Sequence, residues 1–262
     1  MIARQRKILG SLLVVGALAG CTSYYEIPIE TPVQPKLDTS PFQRVFVAGF
    51  VAGGNEEVDG NLETVRLLRS QLRQKGSLRV DEGEPLPLNE IAAQQSGLEK
   101  PPDASPSSTT ATQESQLPPI KEERDLEPYE KIFANAEYWK KIGADHQGAL
   151  IVTGTVLFRP HQTSGFVQRE QETYDEFGRR RVQPVRTYME RSGFILRPTF
   201  VFIDGRTGET LHSETFREEI LYNQNTQTPA LSSFFELMDR LLPSFLNTMS
   251  AQKIRGTRVL LK

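Results

Sequence analysis

One thiol, three imidazoles and two glycine-rich turns are the residues here whose chemistry could exceed packing. The thiol, Cys21, stands directly behind Leu18-Ala19-Gly20 and is the sole cysteine, so it has no disulfide partner within the chain. Its available chemistry is thiolate attack or acylation. His146, His161 and His212 are far apart in sequence, and none has a second ligand at metal spacing. They read as polar surface or strand-end residues. Gly49, Gly53 and Gly54 suggest a phosphate cradle, but no Gly-Lys-Ser/Thr follows and the spacing does not fit Gly-x-Gly-x-x-Gly. A loop that needs unusual backbone angles accounts for them better. Asp204-Gly205-Arg206-Thr207-Gly208 lacks the alternating acids and terminal Glu of a calcium loop, which favours a hairpin turn. No Gly-x-Ser-x-Gly nucleophile elbow occurs. The expectation is a non-catalytic protein without cofactor or metal.

What surrounds Cys21 sets its chemistry. Arg4, Arg6 and Lys7 precede the apolar run Ile8 to Leu18, which is too short for the ~20 residues of a membrane-spanning helix. Charged start, short apolar run and small residues at its end form a secretory signal over residues 1–20. Leu18-Ala19-Gly20-Cys21 resembles the lipobox of bacterial lipoproteins, and that resemblance implies acyl chains on Cys21 as the new N-terminus. Thr22, where inner-membrane lipoproteins of enteric bacteria often carry Asp, favours the outer membrane over the inner one. The expected location is the cell envelope, lipid-anchored and facing the periplasm. Residues 21–42, with Pro28, Pro32, Pro35 and Pro41, read as a flexible tether.

Without residues 1–20 the chain holds 28 basic against 33 acidic side chains, a formal charge of −5. That balance offers no general attraction to nucleic acid. Residues 43–262 are long enough for one domain. Arg44 to Phe50 reads as a strand, and Leu62, Val65, Leu68 and Leu72 mark one face of a helix capped by Asn61 and stopped by Gly76. Leu78-Arg79-Val80 begins a short strand. Residues 98–128 are rich in Pro, Ser, Thr and charge and read as a disordered insertion. A second helix is predicted from Tyr129 to Ile142, ended by Gly143. Ala149 to Phe158 is apolar on both faces, as a central strand should be. Residues 166–191 predict a long polar hairpin around Asp175 to Gly178. Residues 194–203 and 209–220 predict another strand pair, in which Pro198 marks a late start or a bulge. A last helix carries Leu231 to Met249 and is kinked or divided by Pro243. Val259 to Leu261 suggests a final short strand. The fold class is α/β (α+β): a mixed, mostly antiparallel sheet of about five to six strands with about three helices.

The strand Arg44 to Phe50, Gly143-Ala144-Asp145 before Leu150 to Val156 with Gly154, and the turn Ile203 to Glu209 together resemble a group of bacterial envelope lipoproteins. The group comprises the curli-secretion lipoprotein, the activators of penicillin-binding proteins and the N-terminal domain of TolB. The resemblance implies a role in assembly or protein binding and selects no partner. Phe177, Arg179, Arg180 and Arg181 on the long hairpin are the candidate protein contact. The alternatives are a cell-wall hydrolase, a small-ligand lipoprotein, or a subunit of a secretion pore. A pore hairpin needs one apolar row facing lipid, and Val167, Arg169, Gln171 and Thr173 do not supply it, nor does the row from Phe166 to Tyr174. Oligomeric state is left open.

Overall fold

The computed structural model describes residues 24–75, 78–97, 119–174, 176–223, 228–250 and 252–261. Cys21, the signal segment, Gly76, Asp175 and residues 98–118 lie outside them. The chain divides into two units: Lys36–Ser250, and a ribbon formed by the segments on either side of it. The compact unit therefore begins earlier and ends sooner than the 43–262 expected from sequence.

Within Lys36–Ser250 the architecture is mixed α+β. Strands β2 (Arg44–Gly54), β3 (Arg79–Asp81), β4 (Leu150–Tyr174), β5 (Arg180–Asp204), β6 (Thr210–Thr215) and β7 (Glu218–Asn223) make one sheet. Its order is β3-β2-β4-β5-β6, with β7 also on β5. β2 runs parallel to β3 and β4; every other pairing is antiparallel. The helices are α1 (Gly60–Lys75), α2 (Leu88–Ser96), α3 (Glu127–Glu130), α4 (Ala136–Asp145) and α5 (Ala230–Met249).

Side-chain alternation along the central strands sorts the core into two layers. Val45, Val47, Leu150, Val152, Val156, Phe200 and Phe202 pack with Leu68 and Leu72 of α1 and with Phe234, Leu241 and Phe245 of α5. Phe46, Ile151, Leu157, Val201 and Ile203 pack on the other face with Ala92 of α2, Tyr129 and Trp139. β4 is central, and its Leu150–Phe158 section is buried on both faces, as its composition demands.

Several local details depart from the sequence reading. Asp59, not Asn61, caps α1: its carboxylate accepts the Leu62 N–H at 2.9 Å. Asn61 instead accepts the Phe50 N–H at 2.8 Å and donates to the Leu86 carbonyl, tying β2 to the segment before α2. The second predicted helix is three pieces, α3, a 3-10 turn over Lys131–Ala134 and α4, with Asn135 capping α4. Gly143 lies inside α4 and does not end it; a Cβ there would fall 1.9 Å from the Gly205 carbonyl oxygen, so close approach is what requires glycine. Residues 119–128 are ordered: Ile120 and Leu126 are buried in the second core layer, and Glu123–Asp125 forms a 3-10 turn. Residues 119–128, read from sequence as part of the disordered insertion 98–128, are thus structured.

Pro198 neither starts β5 late nor bulges it. It stands between Arg191–Leu196, paired with β7, and Thr199–Ile203, paired with β6, where neither neighbour needs its missing N–H. The predicted strand 209–220 is split into β6 and β7, and between them the Phe216 N–H donates to the Pro198 carbonyl at 2.9 Å. Pro243 leaves α5 undivided and removes one ladder bond.

The turn between β5 and β6 is fixed by Asp204. Its carboxylate accepts the Arg206 backbone N–H at 2.8 Å and two guanidinium N–H groups at 3.0 and 2.8 Å. Those guanidinium bonds, against the opposing effect of burial, hold its carboxyl below the usual range. A depressed folded value means stabilisation that is complete above the unfolded value of ~3.9 and lost as pH falls through the lower folded one. Asp204→Asn should cost about 1 kcal/mol at neutral pH, kept low because Arg206 is half exposed. Denaturant melts of both proteins should converge in strong acid.

The second unit is an antiparallel pair, β1 (Tyr24–Val33) with β8 (Gln252–Leu261), in register from Tyr24↔Leu261 to Val33↔Gln252. Glu30 and Arg255 pair across it at 3.0 Å. Tyr24–Val33, ten of the residues read as a flexible tether, is therefore a strand, and the short terminal strand expected at Val259 is its longer partner.

Candidate protein-contact surface

β4 and β5 begin as core strands and continue far past the core. Their pairing runs unbroken from Leu150↔Asp204 to Tyr174↔Arg180. β7 accompanies β5 only from Arg191 to Leu196. Among the described residues, the eleven rungs from Ser164↔Glu190 to Tyr174↔Arg180 have no third strand. At about 3.3 Å per residue this arm is roughly 36 Å long with two open edges.

Alternation gives the arm two faces. One holds Phe166, Gln168, Glu170, Glu172 and Tyr174 opposite Tyr188, Arg186, Pro184, Val182 and Arg180; the other holds Val167, Arg169, Gln171 and Thr173 opposite Thr187, Val185, Gln183 and Arg181. Cross-strand pairs stabilise it. Phe166 and Tyr188 meet edge to face at 5.3 Å, and Arg180 forms an ion pair with Glu172. Neither face is a continuous apolar row.

The tip brings together only part of the predicted site. The Arg179 guanidinium lies over the Phe177 ring at 5.4 Å, a cation–π pair, and Phe177 is 80% exposed. Arg180 and Arg181 point to opposite faces, so three consecutive arginines do not form one cationic patch. The sequence reading did not single out Phe166, Tyr174 and Tyr188, all more than half exposed on one face. Their even spacing along the predicted strands was the available signal.

Gly53 and Gly54 end β2, paired with β4, and do not form the loop expected from sequence; with the turn that follows they border a separate cleft of about 330 Å³. It is lined by Val58, Asp59, Asn89, Ile120, Tyr129 and Phe158, among others. Gly53 and Gly54 are not a phosphate cradle: a Cβ on them would meet Ile120 at 2.5 Å and the Phe158 carbonyl oxygen at 2.0 Å. The Gly54 N–H donates to the Ile120 carbonyl at 2.7 Å. Asn89 bonds both the N–H and the carbonyl of Ala52, at 2.9 and 2.8 Å. The buried Tyr129 hydroxyl has no hydrogen-bond partner among the described residues.

The histidines remain apart. His146 stacks on Phe46 at 3.6 Å and reaches Asp81 at 3.1 Å; His161 meets Thr163, and His212 meets Glu214. Among the described residues no group of three His, Cys, Asp or Glu is placed to hold a metal. No helix among them is long and apolar enough to cross a membrane.

No family model matches the chain, and no curated protein matches it. Among solved structures it is similar to the lipoprotein GNA1162 from Neisseria meningitidis, at 12% identity and a TM-score of 0.34, covering 78% of this chain and 98% of that one. It is also similar to a homologue of a neuraminyllactose-binding hemagglutinin from Helicobacter pylori, at 9% identity and a TM-score of 0.33, covering 82% and 88% respectively.

Proposed function

We propose that this chain is a non-catalytic envelope lipoprotein, anchored through acylated Cys21, that binds another protein along its β4–β5 arm. The arm carries the reading. A two-stranded ribbon of this length buries no core of its own, yet it holds Phe166, Tyr174, Phe177 and Tyr188 in solvent. Exposed aromatics beside open strand edges are what a protein partner can pair with, strand to edge and ring to pocket. Six arginines and five carboxylates along residues 164–191 nearly cancel, so neither nucleic acid nor a strongly charged surface is the natural partner. The site is the outer membrane's periplasmic side, on the strength of Thr22 after Cys21.

Crosslinking in native membranes, read by mass spectrometry, tests this. Wild type should capture a defined envelope protein, and deletion of residues 168–188 should remove it while the melting temperature of the remaining domain is kept. Equal capture by both proteins would sink the arm as the contact. The anchor is tested separately: the native N-terminus should be acylated Cys21, and Cys21→Ala should leave the chain unacylated and poorly processed. An unmodified N-terminus at another residue overturns it.

A second reading, a small-ligand lipoprotein, is favoured by one observation, the unpartnered Tyr129 hydroxyl at the cleft after β2. A ligand with a polar group against an apolar wall would satisfy it.

A further inference from the structure

We infer that the β1–β8 ribbon is a membrane-surface element whose Tyr25–Ile27–Ile29 face lies on lipid beside the acyl anchor. This rests on the proposed anchoring at Cys21. The ribbon is amphipathic by strand alternation. Tyr25, Ile27, Ile29 and Val33 share one face with Leu260, Arg258 and Gly256; Glu26, Glu30 and Arg255 are on the other, where the last two pair. On the apolar face Ile27, Ile29, Val33 and Leu260 are each between 39% and 44% exposed. A two-stranded ribbon encloses no core of its own, so an apolar face of this kind calls for a cover.

What covers it follows from the chain before it. Cys21 stands three positions ahead of Tyr24, and three residues reach at most about 11 Å. An acyl chain on Cys21 therefore holds the first rung of the ribbon at the bilayer surface. That end is also the most apolar, with Tyr24 and Val259 exposed on one face and Tyr25 and Leu260 on the other. Tyrosines belong at the lipid–water boundary, where ring and hydroxyl meet different surroundings. Arg258, opposite Ile27, is the one charged residue on the apolar face; its stem can lie on apolar surface while the guanidinium reaches lipid phosphates. A second copy could cover the same face, but the anchor places lipid beside it in every copy at any protein concentration.

The test removes the acyl group and keeps the ribbon. Residues 21–262 carrying Cys21→Ser should still sediment with vesicles of phosphatidylethanolamine and phosphatidylglycerol. The double variant Ile27→Thr, Ile29→Thr, which keeps β-branched residues in the strand, should bind more than about tenfold more weakly. Hydrogen exchange at Arg255 to Val259 should show the ribbon intact in that variant. A Tyr25→Trp protein should shift its emission to the blue on adding vesicles, against the constant signal of buried Trp139. Absence of vesicle binding by the Cys21→Ser protein, or equal binding by the threonine variant, overturns the inference. So does a concentration-dependent dimer that the threonine changes abolish without vesicle binding, which assigns the face to a second copy. Acylation of Cys21 is read independently on the native protein, so failure of the ribbon and failure of the anchor are distinguishable.

Discussion

Gly154→Ala should severely destabilise the native sheet. Gly154 is in the buried first section of β4, between β2 and β5, at φ +144°, a conformation L side chains rarely adopt. A Cβ there would stand 1.8 Å from the Thr199 carbonyl oxygen of β5. Backbone of a central strand cannot yield as a side-chain end can, so both strain and overlap must be met by displacing the β4–β5 pairing. Strained backbone alone costs about 1–3 kcal/mol and overpacking a similar amount, against a typical total stability of about 5–15 kcal/mol. The expected loss is about 4 kcal/mol or more, read from denaturant midpoints or, if the protein is insoluble, from its soluble fraction. Gly165→Ala is the control. Nothing stands within 4 Å of a Cβ at that position in the arm, and its stability should be unchanged within error. A Gly154→Ala protein that unfolds cooperatively near the wild-type midpoint would refute the account.

Gly154 also shows where reading the sequence stops. Branched residues on both sides made β4 legible as a central strand, but nothing in the run states why position 154 is glycine. The reason is the approach of the Thr199 carbonyl, which belongs to a strand paired from about 45 residues further along the chain. The long hairpin was legible because period-two alternation and the Phe177-Gly178 turn are local. The β1–β8 pairing was not, since the Glu30–Arg255 pair joins residues 225 apart. Pro28 and Pro32 further masked β1. Four apart, they share one phase of the alternation, which an edge strand tolerates. Composition averaged over residues 98–128 concealed Ile120 and Leu126, two isolated apolar residues that anchor the segment after Pro118. The three arginines at the tip looked like one patch because adjacency was read as proximity; in a strand, neighbours face opposite ways.

The same contrast between core and arm gives the other large expected effect. Phe200→Ala should cost about 3–5 kcal/mol. Phe200 is fully buried where three elements meet: its ring lies 4.7 Å from Phe245 of α5, 5.8 Å from Phe50 of β2 and 5.8 Å from Phe216. None of these neighbours can collapse into the space without moving its own strand or helix. Phe177→Ala removes a ring of the same size from the tip of the arm, where it is exposed and touches Arg179. Its expected effect on stability is within about 0.5 kcal/mol. On the proposed function the order reverses. Phe177→Ala should weaken capture of the partner in intact membranes, whereas Phe200→Ala should reduce it only in proportion to the folded fraction. Parallel melts and crosslinking yields on the two variants measure both quantities. If Phe177→Ala leaves capture at the wild-type level, the tip is a solvated turn that keeps the arm's end soluble, and the contact must be sought along Phe166, Tyr174 and Tyr188.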